Sequence, residues 1–224
     1  TRVVAPDKPV VGVMSSLPVF GMPNNPMMMQ MGQRGQPAWA FITELQNDFK
    51  VKRVDITADK IDDDVKVLIV IHPKQITEAA EYAIDQFVLR GGKLVAFLDA
   101  NCLIDNRNAQ NPMMAQMGGG GSTLDKLLKA WGISFENSKV VADMTFKMEV
   151  GGGGGGPTQR PTWLSLTTEG IDTNDVVTSQ IDNVWYFAGG AFSGTPAAGL
   201  KETVLLKSTT DSALVDGMMA NLSP

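Results

Sequence analysis

The run Val65 to Ile71, VKVLIVI, limits what this chain can fold into more than any other feature. After Lys66 it is continuously apolar and rich in β-branched residues. A strand with one wet face alternates apolar and polar positions. A run without alternation is covered on both faces, as in a parallel sheet packed between helices. His72-Pro73 ends the run, because proline has no N–H to give a ladder.

The neighbouring segments supply the alternation such a sheet needs. Val10 to Met14, VVGVM, reads as a buried strand. Ala38 to Phe49 carries Trp39, Ile42, Leu45 and Phe49 at helical spacing, and Lys50 to Ile56 reads as a second strand. A helix is predicted from Glu78 to Arg90, with Ala80, Ile84, Phe87 and Val88 on one face. Thr77 is placed to cap its start and Gly91-Gly92 to stop it. Lys93 to Leu98 is the next strand. Strands and helices in this order predict an α/β fold with a flavodoxin-like, mainly parallel sheet flanked by helices.

A further helix is predicted from Thr123 to Trp131 and a short strand from Ser138 to Ala142. In the second half, Trp163 to Thr167, Val176 to Ser179, Val184 to Phe187 and Glu202 to Lys207 read as additional, partly antiparallel strands. The organisation expected is a single α/β domain over residues 1–224. Its parallel core spans 1–143, and a less regular closing lobe spans 144–224.

Three low-complexity inserts interrupt this plan: Met22 to Gln36, Asn108 to Gly121, and the six glycines Gly151 to Gly156. They lack the apolar periodicity that would offset the entropy of ordering them, so they are predicted to be mobile loops. The first two would leave the C-terminal ends of strands, where open α/β sheets place their sites.

Net charge is −5 with scattered Lys and Arg. Phosphate contacts need clustered cations, so nucleic acid is not an expected partner. A lone cysteine, Cys102, excludes an intramolecular disulfide and any CxxC site. No stretch approaches the roughly 20 apolar residues of a membrane helix. Thr1 to Pro9 holds Arg2, Asp7, Lys8 and two prolines, unlike a signal peptide. The expectation is a soluble piece of a longer protein.

Val67 to Asn101, VLIVIHPKQITEAAEYAIDQFVLRGGKLVAFLDAN, resembles the GldG-like auxiliary components of ABC-type transport systems, associated with gliding motility. The resemblance rests on the strand ending in His72-Pro73, on Tyr82 to Phe87, on Arg90-Gly91-Gly92-Lys93, and on the apolar strand before Asp99. Leu124 to Ile133, Lys139 to Asp143, Pro161 to Leu166 and Asp175 to Thr178 extend it, as do the Met-, Pro- and Gly-rich inserts. A related domain occurs in intraflagellar transport proteins. The resemblance implies a fold similar to class I glutamine amidotransferases without their activity. It also implies a membrane-anchored parent, this domain lying on the outer side of the bacterial inner membrane against the transporter's membrane subunits. The function implied is that of a non-catalytic binding or assembly module.

The residues leave rival chemistries open. His72 and Cys102 follow strand ends, with Asp99 near in sequence; a Cys–His pair with a carboxylate is the recipe for an activated thiolate. A degenerate amidotransferase-like enzyme would use them. Against it, Cys102 lacks the glycine-flanked strand-to-helix elbow that exposes a nucleophile. A second alternative is a small-ligand or carbohydrate site lined by Ser15, Ser16, His72, Asp99 and Cys102. One His and one Cys fall short of a zinc ligand set, and Asp62-Asp63-Asp64 reads as a solvated loop. No Walker lysine follows the glycine runs, so neither a metal nor a cofactor is expected. Met27, Met28, Met29, Met113 and Met114 stand in polar loops. A flexible insert without chemical consequence is the commoner reading of such loops; after it come adaptable partner or lipid contact, for which these five are the candidates, and then Cu(I), both suited to thioethers.

Overall fold

The computed structural model describes residues 8–22, 35–108, 120–152 and 156–217. The chain divides into two compact units, Thr1–Phe97 and Leu98–Pro224.

The first unit is built on four parallel strands: β1 (Val10–Ser15), β2 (Lys50–Val54), β3 (Val65–Ile71) and β4 (Lys93–Phe97). Their order across the sheet is β2-β1-β3-β4. β1 pairs with β2 from Val10↔Lys50 to Met14↔Val54, and with β3 from Val11↔Val67 to Ser15↔Ile71. β3 pairs with β4 from Val67↔Lys93 to Ile71↔Phe97. The apolar run of β3 thus has a strand on either side, and Val65, Leu68 and Val70 are buried.

Helix α1 (Ala40–Asp48) leads from β1 into β2 and buries Ile42. Helix α2 (Glu78–Leu89) leads from β3 into β4 and buries Ala80, Ala83, Ile84 and Phe87, the i, i+3, i+4, i+7 stripe of a core-facing helix. Thr77 caps it: its side chain accepts the Ala80 N–H at 3.2 Å. Beyond its end, Gly91 adopts φ +95°, a left-handed conformation that glycine takes without a Cβ clash. Gly92 lies against Phe87, whose ring atoms stand 2.4 Å from where a Cβ would be.

The second unit opens with α3 (Leu103–Asn108), a short helix that the sequence pattern does not announce, followed by α4 (Asp125–Ala130). Its strands pair antiparallel. β5 (Ile133–Phe135) pairs with β10 (Phe192–Gly194), and β6 (Lys139–Asp143) with β11 (Ser212–Asp216). β7 (Lys147–Gly152), β8 (Gly156–Leu166) and β9 (Val184–Phe187) form a sheet in that order. The protein is therefore an α/β fold, parallel and helix-flanked in its first half and antiparallel in its second.

Several expectations for the second half need correction. Val176 to Ser179 forms turns, not a strand. Asp175 organises them by accepting the Val177 N–H at 2.8 Å, a local bond that competes with a ladder. Glu202 to Lys207 contributes only an isolated bridge, Leu206 to Ile171. The glycine run is not all insert. Gly151 and Gly152 end β7 and Gly156 begins β8, paired as Gly151↔Pro157 and Gly152↔Gly156. Backbone pairing needs no side chain, so composition misleads there. Gly121 also belongs to the packed structure, because a Cβ on it would meet the Asn137 carbonyl oxygen at 1.9 Å. Residues 23–34 of the first insert lie outside the described residues; its base is pinned by the bridge between Met22 and Gln36.

The core of the second unit joins Val141, Phe146, Leu164, Leu166 and Ile171, with Ile181, Val184 and Tyr186 packed against them. Beside it sits a buried carboxylate, Asp143. Its Oδ1 accepts the N–H groups of Thr145 (2.8 Å) and Phe146 (3.2 Å), and its Oδ2 accepts that of Thr209 (2.7 Å). The Thr209 hydroxyl adds a bond at 3.1 Å. Burial alone raises the pKa of this carboxyl, but the donors outweigh burial and hold it below the usual aspartate value.

Two predictions follow from these cores. Phe87→Ala is expected to lower unfolding free energy by about 3–5 kcal/mol, read from urea denaturation; a loss under 1 kcal/mol would mean that α2 does not anchor the first unit. Because the Asp143 pKa is depressed in the fold, its contribution to stability is complete above the unfolded-state pKa of about 3.9. It is lost as pH falls through the lower folded value. Asp143→Asn should therefore melt lower than wild type at pH 7, with the gap narrowing on acidification; a gap independent of pH would refute the assignment.

Candidate functional site

In the sheet order β2-β1-β3-β4, the chain leaves β1 toward one edge and β3 toward the other. The C-terminal ends of β1 and β3 therefore flank the topological switch point, where open α/β sheets bind ligands. Ser15 ends β1, Ser16 follows it, and His72 follows β3. The structure brings Ser16 and His72 together: the Ser16 hydroxyl donates to the His72 carbonyl. Ser15 Oγ instead accepts the Leu17 N–H at 3.0 Å and turns the chain locally.

His72 is fully buried and has φ +47°, an uncommon conformation for a residue with a side chain. Its N–H donates to the Phe97 carbonyl at 2.9 Å, and its carbonyl accepts the Lys74 N–H at 2.7 Å. Gln75 also has positive φ, +58°. The turn from β3 into α2 is thus a conformation imposed by its surroundings, of the kind that clusters at functional positions. Pro73 at the strand end predicts a break in the ladder; only the fold shows that the break is held by Ser16.

Asp99 and Cys102 lie in the second unit, in the segment that precedes α3. The Asp99 N–H donates to Ser122 Oγ at 3.1 Å, and the Ser122 N–H donates to the Asp99 carbonyl at 2.7 Å. The Cys102 N–H donates to the Gly120 carbonyl at 2.7 Å, and Asn101 Nδ2 donates to the Gly217 carbonyl at 3.0 Å. These bonds tie the segment to chain distant in sequence, and Cys102 is buried at 5% exposure. Sequence reasoning does not single out Ser122, which follows four glycines and reads only as the approach to a helix. Tyr186 feels the same segment: burial, and then the negative charge of Asp99, raise its pKa. Its hydroxyl donates to the Gly190 carbonyl at 2.6 Å.

The acidic run Asp62-Asp63-Asp64 is met by basic side chains. Lys52 Nζ lies 2.8 Å from both Asp62 and Asp64, Lys60 lies 3.0 Å from Asp63, and Arg90 lies 3.5 Å from Asp63. Met27, Met28, Met29, Met113 and Met114 fall outside the described residues.

The fold is thus α/β, with a seryl–histidyl contact at the switch point of its parallel sheet and antiparallel strands in its second half. The family model for ABC-type uncharacterized transport systems matches residues 8–223. The chain belongs to this family, the GldG-like auxiliary components of ABC-type transport systems. The family is an auxiliary transport component and non-catalytic; the chain is not an enzyme. No curated protein and no solved structure matches it. Among the described residues no helix is long and apolar enough to cross a membrane.

Burial of Cys102 gives a direct check on its chemistry. Iodoacetamide is expected to modify it many-fold more slowly in the native chain than in urea, because access to a buried thiol requires opening. Native alkylation as fast as that of the unfolded chain would reopen a nucleophilic role.

Proposed function

We propose that the chain is a binding or assembly module on the extracytoplasmic side of the bacterial inner membrane. It belongs to a parent anchored by helices outside this sequence and contacts the membrane subunits of its transporter. In this reading residues 1–224 act as one functional domain, in a system of the gliding-motility type. The observation that carries it is the family match over residues 8–223. That match links nearly the whole chain, both units included, to transport in an auxiliary capacity. The fold is consistent with such work, since its switch-point residues are engaged in holding backbone.

The Met-rich inserts are the proposed contacts. Methionine is flexible and polarizable, so Met27, Met28, Met29, Met113 and Met114 suit an apolar partner without a fixed pocket. A second reading has one observation in its favour: the strained turn at His72 stands at the switch point, where a small ligand would be lined by Ser15, Ser16 and His72.

The tagged full-length protein, co-expressed with the permease and ATPase of its own transport system, is expected to retain both through detergent extraction and purification. Exchanging the five methionines for serine should reduce recovery several-fold. Undiminished recovery would remove the Met-rich inserts from the interface, and absence of the subunits from the wild-type preparation would overturn the assembly reading.

A further inference from the structure

Strand β9 reads Val184-Trp185-Tyr186-Phe187 and is an edge of the β7-β8-β9 sheet. It pairs with β8 from Trp163↔Phe187 to Leu166↔Val184. The Ala188 N–H donates to the Thr162 carbonyl at 2.8 Å. By the alternation of an antiparallel ladder, the backbone groups of Tyr186 and Val184 also face β8. Those of Trp185 and Phe187 then face away from it, along the edge that no strand among the described residues covers.

The side chains at these two outward positions are apolar and exposed, Trp185 at 66% and Phe187 at 40%. They continue a row of rings. Phe187 meets Trp163 at 5.2 Å between centroids, Trp185 meets Phe187 at 6.2 Å, and Arg160 stands over Trp163 at 5.3 Å. Tyr186 and Val184, on the opposite face, pack against the core. β5 and β10, also uncharged, are three residues each; the longer edge strands carry the charges by which proteins discourage edge pairing. β2 has Lys50, Lys52 and Arg53, β4 begins at Lys93, and β7 has Lys147 and Glu149. β9 has none.

Charge identifies the occupant. No Lys or Arg occurs between Arg160 and Lys201, whereas Glu169, Asp172, Asp175 and Asp182 do. Glu169 and Asp182, in the connection that leads into β9, are exposed. A second copy paired edge to edge would bring like charges together, and an anionic lipid surface would meet the same repulsion. A cationic, apolar strand would be attracted on both counts. We infer that β9 accepts an extended segment of a partner protein, carrying Lys or Arg among apolar residues, as an added strand whose main chain bonds Trp185 and Phe187 and whose side chains pack on their rings. This deepens the assembly reading and rests on it for the identity of the partner, although the edge itself does not.

The test uses two synthetic decapeptides, one alternating Val with Lys and one alternating Val with Glu, titrated into the chain by calorimetry and followed by amide hydrogen exchange. The Lys peptide is expected to bind saturably and at least tenfold more tightly than the Glu peptide. It should slow exchange of the Trp185 and Phe187 amides and leave Tyr186, already bonded to β8, unchanged. Trp185→Lys, which places a positive charge on the edge, should weaken binding at least tenfold without altering the melting temperature; should it melt early, Phe187→Thr serves the same purpose. Equal binding of both peptides, no change in exchange at the two amides, or a dimer that protects them without peptide would overturn the inference. None of these results would disturb co-purification with the transporter. Failed co-purification alongside intact peptide binding would overturn the assembly reading alone.

Discussion

Two parallel strands laid side by side cannot be joined by a tight turn; each must send its chain over a face of the sheet before returning. The pairing of β1 with β3 imposes that condition on the first unit. Each of these strands is flanked by another, so neither can present a solvated edge, and the crossovers from β1 and β3 diverge to opposite edges of the sheet. α1 and α2 are the covers this arrangement requires, and Ile42 and Phe87 are where they seal it. The same divergence sets Ser16 beside His72 at the strand ends.

The second unit answers a different constraint. Its strands are joined without helical crossovers, so edges remain and backbone polar groups must be satisfied along them. Asp143 takes up several such groups at one buried carboxylate, and Ser122, Gly120 and Gly217 do the same around Asp99 to Cys102. Among the described strands β9 is the longest edge left without charged protection. A core built on antiparallel strands tolerates this, because only one face of each strand has to be buried. The aromatic face of β9 is then a feature that core packing does not account for.

An auxiliary component of a transporter has to recognise other chains rather than transform a substrate, and the chemistry of this molecule fits that division. Its only cysteine is buried, its acidic run is met by lysines and an arginine, and the seryl hydroxyl at the switch point holds a carbonyl. These side chains are buried, ion-paired or bonded to backbone. Trp185 and Phe187, apolar and exposed side by side on β9, are suited to another protein's surface.

The sequence by itself determined the parallel half. Unbroken apolar runs, helical stripes and a threonine-to-glycine frame around α2 are local signals, and β1, β2, β3, α2 and β4 lie where those signals put them. The segment around His72-Pro73 carried the resemblance to the family, and the lone cysteine and scattered cations narrowed the chemistry. Only the tertiary structure decided the rest. Gly151, Gly152 and Gly156 form strands because a partner strand supplies hydrogen bonds that composition does not reveal, and Val176 to Ser179 forms turns because Asp175 captures its backbone locally. Asp143 and Ser122 acquire their roles from donors and acceptors far away in sequence. Whether Trp185 faces a core or an open edge depends on which strand lies beyond β9, a long-range pairing that no short window of sequence encodes.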